Sequence, residues 1–339
     1  MKRLSAIFCG LIASLFSVNT AFAQESTKVN LRMEARGDFQ YENIDGSMVD
    51  DNTGFRGKQL NLRLNGNITE AWSYTYRQQL GKPNSSYFDA VDHINLTYTI
   101  GAWGFTGGKQ TVAVGGYEYD RAPLDFYFGS EYWYNMDCYQ WGVNAKYNLG
   151  TESNDALTLQ VTQSPFRSVN PSMFSYNLMW TGTYGWLDVL HSVNVAEYLP
   201  GKYVNFIALG HQFNMGDFTL QLDWMNRANL DRFAFDDFSV MADLSWHASK
   251  KFNVFGKATY DVNKDNVADL CVLPGTELTR VGVGVEYFPI KDSRNLRLHA
   301  NYSYTWGVNT KSREDGGELW GKQSFVSVGA VWQMNILKR

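Results

Sequence analysis

The sequence predicts an all-β fold, a transmembrane antiparallel up-and-down β-barrel of about 16 strands. Three observations favour it: strands of strict two-residue period are unusually long, short turns alternate with long loops, and aromatic residues and glycine far outnumber proline. Aromatic residues make up 15% of the chain, which has 30 Gly but only 7 Pro. This mix suits strands and turns better than helices. A chain of 339 residues is also too long for one compact core unless the architecture is something like a barrel.

The first predicted strand shows why a membrane barrel is favoured. Every second residue from Val29 to Tyr41 is non-polar, and the residues between them are polar. At about 3.3 Å per residue, the strand from Val29 to Glu42 spans roughly 46 Å, whereas an ordinary strand has about 5–6 residues. A strand that crosses a bilayer at a tilt and continues into an outer wall would have this length. Its polar face would then line a water-filled lumen.

The same alternation recurs along the chain, and it divides the chain into sixteen candidate strands. They lie near 28–42, 55–68, 72–80, 91–100, 103–114, 131–149, 156–164, 174–182, 187–196, 203–213, 217–227, 238–247, 251–261, 278–288, 294–307 and 324–337. In a soluble sandwich the apolar faces would form the core. Two features count against that alternative: Trp and Tyr concentrate near strand ends, as in membrane-interface girdles, and no further elements remain to cover so much apolar surface.

The connections between these strands alternate in length with few exceptions. The long ones are predicted at 43–54, 81–90, 115–130, 164–173, 227–237, 262–277 and 308–323. Periplasmic turns and long external loops alternate in this way in up-and-down membrane barrels. An even strand number leaves both termini on the turn side.

The first 23 residues are predicted to be a secretory signal peptide. Lys2 and Arg3 form the basic region, an apolar run extends from Leu4 to Val18, and Ala21 and Ala23 supply the small residues before the cleavage point. Residues 24–339 would then form the barrel domain, in the outer membrane of a Gram-negative bacterium. The precursor carries a net charge of −4. A mildly acidic chain without a basic patch argues against nucleic acid as a partner.

Strand parity assigns a set of charged side chains to the lumen. The basic members are Arg32, Arg36, Arg63, Arg77, Lys146, Arg227, Lys257, Arg280 and Arg297. The acidic members are Glu34, Asp38, Glu42, Asp223, Asp243, Asp261 and Glu286. A strongly anion-selective pore needs a lopsided ring of charge, and this set is mixed. Each charge could equally pair with a neighbour across the wall.

Motifs for enzymatic chemistry and for cofactor binding are absent from the sequence. The five histidines, at positions 93, 191, 211, 247 and 299, have no metal-ligand spacing, and no G-x-S-x-G is present. Cys138 and Cys271 would both lie on the outer, oxidising side, so a disulfide between them is considered. The sequence does not show whether their Cα atoms come within bonding range.

Several segments resemble the porin O/P family, the phosphate-selective porin group, in its Bacteroidetes branch. They include residues 107–133, 193–210, 271–289 and 298–307. The resemblance covers essentially the whole predicted mature chain. It implies a sixteen-stranded porin that forms a homotrimer in outer-membrane lipid.

The resemblance also implies a role for the third long loop, which in general porins folds inward and narrows the pore. Gly115 and Gly116 can provide the bend. Charges of both signs would then stand at a constriction: Glu118, Asp120, Arg121 and Asp125. The alternative is an external loop packed by its own aromatic residues.

The function that follows is passive diffusion of small hydrophilic solutes or ions, with anions such as phosphate as candidates. The alternative is a non-conducting barrel that acts as an adhesin or structural anchor through its long loops. The sequence itself does not name the solute.

Overall fold

A computed structural model shows a closed antiparallel β-barrel of sixteen long strands plus one two-residue strand. It describes residues 29–81, 88–150, 155–166, 172–229, 235–264, 271–309 and 318–338. The predicted signal peptide lies outside the described residues. Among these residues no helix is long and apolar enough to cross a membrane.

The strands follow one another around the barrel in chain order. They are β1 Val29–Ile44, β2 Ser47–Met48, β3 Gly54–Asn67, β4 Trp72–Gln79, β5 Val91–Ile100, β6 Trp103–Thr111, β7 Tyr139–Asn148, β8 Ala156–Gln163, β9 Phe174–Tyr184, β10 Leu187–Leu199, β11 Lys202–Met215, β12 Phe218–Asn229, β13 Asp237–Ser249, β14 Phe252–Asn263, β15 Thr276–Tyr287, β16 Leu296–Asn309 and β17 Glu318–Lys338. The sequence predicts the long strands to within a few residues, with two clear exceptions: β7 begins later than predicted, and β17 begins at Glu318, before its predicted start near residue 324.

The barrel closes between its first and last strands. β1 pairs with β17 from Asn30 opposite Lys338 to Ile44 opposite Gln323, and it pairs with β3 on its other side. The short strand β2 only extends the first loop and contacts β1. The fold class predicted from the sequence is therefore confirmed.

Polar side chains of the strands point into the barrel and apolar side chains point outward, which is the reverse of a soluble protein. In β1 the polar residues Arg36 and Asp38 are 4% and 3% exposed, whereas the apolar Phe39 is 40% exposed. The polar face therefore looks into the barrel, and the apolar face forms the outer surface. This arrangement is that of a membrane barrel and excludes the soluble sandwich.

The alternation of turns and loops follows the prediction, except that the β10–β11 connection is also short. That connection is Pro200–Gly201, and it stands on the loop side of the barrel. On the opposite side, β11 and β12 are joined by Gly216–Asp217. Gly216 adopts a φ of +65°, a left-handed conformation that glycine adopts without steric cost.

The segment between β6 and β7 differs from the prediction. The sequence predicts that the sixth long strand, which is β7 in the structure, begins near residue 131. Instead, Glu131–Asn135 is a short helix and β7 begins at Tyr139. Ser130 explains the difference, because its side chain accepts a hydrogen bond from Trp133 N and caps the helix. The third loop therefore extends over residues 112–138, and it contains a second helix at Tyr117–Asp120.

This third loop enters the barrel and shares a hydrophobic core with the wall. The loop contributes Val112, Val114, Tyr119, Tyr132 and Met136, and the inward faces of β10–β12 contribute Ala196, Val204, Phe206, Ala208 and Met225. Apolar residues thus replace the polar lining where the loop rests. The inward fold of the third loop is part of the observed architecture.

Candidate functional site

The loop bends into the lumen at its two glycines. Gly115 N donates to Ser192 Oγ at 2.8 Å, and Gly116 N donates to Leu190 O at 3.1 Å. Gly116 has a φ of +98°, which disfavours any residue with a side chain. A Cβ on Gly115 would lie 2.6 Å from Leu190 O. Neither position therefore accepts a larger residue without moving the chain.

Asp223 of β12 binds the main chain of the loop directly after this bend. Its carboxylate accepts hydrogen bonds from Tyr117 N at 2.9 Å and from Glu118 N at 2.7 Å. A carboxylate at the start of a helix compensates backbone N–H groups that have no partner within the helix. The wall therefore holds the loop through the main chain as well as through side chains.

The sequence predicts that Glu118 stands at the constriction. In the structure its side chain points from the loop toward the wall and is buried. Its Oε1 is 2.5 Å from Lys257 Nζ, and both side chains are almost completely buried. The same carboxylate accepts a hydrogen bond from Ser130 N at 3.1 Å. Its place in the structure is that of a link between the loop and β14.

Arg121 and Asp120 occupy the part of the loop that faces the turn side. Arg121 Nη1 lies 2.8 Å from Asp243 Oδ2, and its Nη2 donates to Gln221 Oε1 at 2.7 Å. Burial acts to lower the pKa of Arg121, but Asp243 outweighs it, and the net shift is upward. Asp120 lines a cavity of about 1130 Å³ together with Lys146, Asp188 and Asn214. This cavity lies at the turn-side ends of β7, β10 and β11.

The tip of the loop reaches across the barrel to β16 and β1. Asp125 Oδ1 lies 2.7 Å from Arg297 Nη2, and Tyr127 Oη donates to Glu286 at 2.8 Å. Arg36 donates to the carbonyl oxygen of Phe126. The turn at 123–125 also lies beside β1 and β3. The tip therefore rests against the middle of β1 and the turn-side ends of β15 and β16.

The end of the loop is tied to β14 and β15. Glu131 lies 3.0 Å from Arg280 Nη2, and its backbone N–H donates to Asp261 Oδ2 at 3.0 Å. Arg227 faces the lumen nearby, but its ion pair is with Asp237 on β13 at 2.7 Å. Three of the seven predicted pore-lining arginines, Arg36, Arg280 and Arg297, therefore hold the loop.

Three others form one cross-strand row on the wall, away from the contacts of the inward loop. Arg63 stands directly opposite Arg32 on β1 and directly opposite Arg77 on β4. We call Arg32, Arg63 and Arg77 the arginine row. Arg32 pairs with Glu34 at 2.5 Å and Arg77 with Asp92 at 3.4 Å. Arg63 makes no ion pair with any residue that the structure describes.

Two further lumen cations were missed by the sequence analysis. Arg56 stands opposite Asp38, which faces inward, and Lys58 Nζ lies 3.4 Å from Gln40 Oε1. A β-bulge at Gly57–Lys58 shifts the register of β3, so parity counted from Arg63 assigns both to the outside. Neither has an acidic partner within ion-pair distance in the described part of the chain. The sequence does carry a signal of this bulge: Gly54 and Gly57 lie in the strand, and the alternation of polar and apolar residues breaks before Gln59.

Cys138 and Cys271, the cysteines among the described residues, are free in the structure, which shows no disulfide between them. Cys271 is buried in the core between loop and wall, and Cys138 packs against the same core. Burial raises the pKa of Cys271 to about 12 and that of Cys138 to about 12. Both thiols therefore contribute apolar packing. Within the described residues, no group of three or more histidine, cysteine or acidic side chains is arranged to hold a metal ion.

Comparison with solved structures shows the same fold in several outer-membrane channels. The anion-selective porin from Comamonas acidovorans is 12% identical and superposes with a TM-score of 0.66, over 91% of this chain and 100% of that one. The channel DcaP of Acinetobacter baumannii is 15% identical with a TM-score of 0.65, over 94% and 100%. OmpT of Vibrio cholerae, in its trimer form, is 14% identical with a TM-score of 0.62, over 91% and 100%.

Comparison at the sequence level matches part of the chain to one family model. No curated protein sequence matches the chain. The family model described as phosphate-selective porin O and P matches residues 29–191, which include β1 to β9, the arginine row and the whole inward loop. The chain is therefore similar over residues 29–191 to the phosphate-selective porin O and P family, and its closed sixteen-stranded barrel is the fold of outer-membrane porins.

Proposed function

We propose that this outer-membrane porin passes small hydrophilic anions in preference to cations, by passive diffusion along the wall formed by β3 and its neighbours. The observation that carries the proposal is a set of three cations on β3 that form no ion pair with any described residue: Arg56, Lys58 and Arg63. The mixed charge count obtained from the sequence treats every lumen charge as equal. The structure distinguishes those that are neutralised by partners from those that are not.

Six of the seven acidic side chains assigned to the lumen are engaged; the seventh, Glu42, accepts a hydrogen bond from Gln323 but forms no ion pair with a described residue. Asp223 and Asp261 accept backbone N–H groups of the loop. Glu34, Asp38, Asp243 and Glu286 each form an ion pair with an arginine. An acidic group whose charge is balanced at contact distance contributes little to the field felt by a passing ion. The surplus charge in the uncovered lumen is therefore positive.

The position of these cations relative to the loop supports the same conclusion. The tip of the loop lies near Arg36, which stands opposite Gln59 of β3. Lys58 and Arg56 follow toward the loop side, and Arg63 lies four residues toward the turn side, about 13 Å along the strand. An ion that passes the tip would meet a cation before and after it. Positive groups of this kind select anions in pores.

The arginine row supports a compact oxyanion as the preferred solute. Like charges placed directly opposite each other destabilise a sheet, so three arginines in one row indicate a site that an anion would stabilise. Guanidinium groups bind phosphate and carboxylate through paired hydrogen bonds. The family description names phosphate, and one structural neighbour is described as anion-selective. Both support this solute class.

The remaining predictions belong to the same proposal. Residues 1–23 would be removed on export, and residues 24–339 would form the mature porin. The barrel would assemble as a homotrimer, as one neighbour is described in a trimer form. Transport through such a pore requires no cofactor and no catalytic step.

The test is the reversal potential of the purified protein in a planar bilayer under a potassium chloride gradient. The wild type should show stepwise openings and a potential of the sign that indicates chloride preference. Arg63→Glu should shift the potential toward potassium. Lys250→Glu is the matched control, because that lysine lies in an exposed turn with its side chain 93% exposed. It should leave the potential nearly unchanged.

Two results would contradict the proposal. A wild-type potential of the opposite sign would exclude anion preference while leaving the channel in place. Folded protein that gives no conductance would instead favour the alternative of an adhesin or structural anchor.

A further inference from the structure

Two histidines lie side by side on the outer surface of the barrel, away from the lumen. His191 of β10 and His211 of β11 are twenty residues apart, and the hairpin brings their Nε2 atoms to 3.3 Å. Both are outward-facing: His191 stands opposite Leu209, and His211 stands opposite Val189 and Leu222. Neither takes part in the lumen or loop contacts.

The separation of the two nitrogens fits a shared metal ion. Two Zn–N bonds of about 2.0–2.1 Å at the tetrahedral angle place the two nitrogens about 3.3 Å apart. The same 3.3 Å separation allows a hydrogen bond between the two rings, with the donor set by the tautomer, and a bound ion would replace that hydrogen bond. The rings are inclined at 64°, so the two imidazoles need not stack for both Nε2 atoms to point at one position.

The surroundings of the pair hold the rings in place. Trp180 of β9 contacts His191 edge-on at a centroid distance of 5.5 Å, and Phe213 lies parallel to His211 at 6.3 Å. Phe213 and Trp186 contact each other beside the β9–β10 turn. The pair is therefore next to the aromatic residues at the turn-side end of the barrel. A membrane interface is expected at such a girdle, so ions in water would have access to the pair.

We infer that His191 and His211 form a binding site for one divalent transition-metal ion, with both Nε2 atoms as ligands. Imidazole suits copper, nickel and zinc, and the affinity for Cu²⁺ should exceed that for Ni²⁺ and Zn²⁺. No third histidine, cysteine or acidic group joins them among the described residues. Water therefore completes the coordination. The site is independent of conduction, because it lies on the opposite face of the wall.

The test is binding of Cu²⁺ and Zn²⁺ to untagged, folded barrel in detergent. Electron paramagnetic resonance of the Cu²⁺ complex should show hyperfine splitting from two equivalent imidazole nitrogens at one ion per chain. Titration calorimetry with Zn²⁺ should give the same stoichiometry. His191→Asn and His211→Asn, made separately, should each weaken binding about tenfold or more, the range that loss of even an outer-shell partner produces.

His247→Asn is the matched control, because His247 lies at the turn-side end of β13, where its Nε2 is 3.5 Å from Thr219 Oγ1, and no other histidine contacts it in the described part of the chain. It should bind as the wild type does. Each variant is first shown to be folded by its heat-modifiable migration in gels. Equal affinity in the wild type and both single variants would overturn the inference. A spectrum without nitrogen splitting, or equal loss in the control, would do the same.

Discussion

Lys257 of β14 and Glu118 of the inward loop form an ion pair within the barrel, with Nζ and Oε1 2.5 Å apart and side chains only 3% and 2% exposed. Replacement of Glu118 by Gln leaves an uncompensated buried ammonium group. Loss of one partner of a buried pair typically costs about 3–5 kcal/mol. We expect the loop to detach from β14 and to become sensitive to protease in the folded barrel.

The double variant Glu118→Leu with Lys257→Met supplies the control for that prediction. It removes both charges together, and apolar replacements of buried pairs are often well tolerated. It should resist protease better than Glu118→Gln alone. If both proteins are cleaved at the same rate, the ion pair does not hold the loop.

The bend at Gly115 should control how far the loop blocks the lumen. Gly115→Val would place its Cβ against Leu190 O at 2.6 Å, so the loop must move off the wall. We expect a larger and noisier single-channel conductance. Gly104→Val is the control, because nothing lies within 4 Å of a Cβ at that position in β6. Unchanged conductance in both would mean that the seated loop does not limit the current.

The arginine row should bind phosphate. Phosphate added to a chloride solution should reduce the chloride current through the wild type, because a multivalent oxyanion is held longer than chloride by several guanidinium groups. Arg63→Gln should weaken the block several-fold, since it removes the one member without an acidic partner. Lys250→Gln should block as the wild type does. A block of the same strength in Arg63→Gln would place the phosphate site elsewhere.

The two cysteines should be unreactive until the barrel unfolds. Because burial raises the pKa of both thiols to about 12, the reactive thiolate is scarce at pH 7, and Cys271 is also inaccessible. Iodoacetamide should label neither in the folded protein and both in denatured, unreduced protein, as measured by mass spectrometry. Failure to label after denaturation without reductant would show a disulfide instead.

The sequence predicts the barrel well because each strand faces lipid on one side and water on the other. Each strand therefore alternates apolar and polar residues with a period of two, and β1 shows this alternation without a break from Val29 to Tyr41. The prediction fails where the local period is interrupted. The bulge at Gly57–Lys58 inverts the parity of the residues before it, and so Arg56 and Lys58 are missing from the lumen set that the sequence predicts.

The candidate site is less readable because its contacts join distant parts of the chain. Nothing near Glu118 in sequence indicates that Lys257 will be its partner, and nothing near His191 indicates His211. The wall sequence does contain one signal of where the loop packs. β11 carries the apolar residues Val204, Phe206 and Ala208 at alternate inward positions, where β1 carries polar residues. Two apolar faces on one strand signal that something packs from inside.

The closure of the barrel by β1 and β17 has a consequence for its biogenesis. Each hydrogen bond of that seam joins residues about three hundred positions apart, and until β17 arrives both β1 and β16 are open strand edges. Exposed edges invite pairing with other chains. Synthesis runs from the N-terminus, so every other strand precedes the one that completes the cylinder. The polypeptide must therefore be kept from self-association throughout export. A chain that loses its final twenty residues lacks most of β17 and cannot close the barrel.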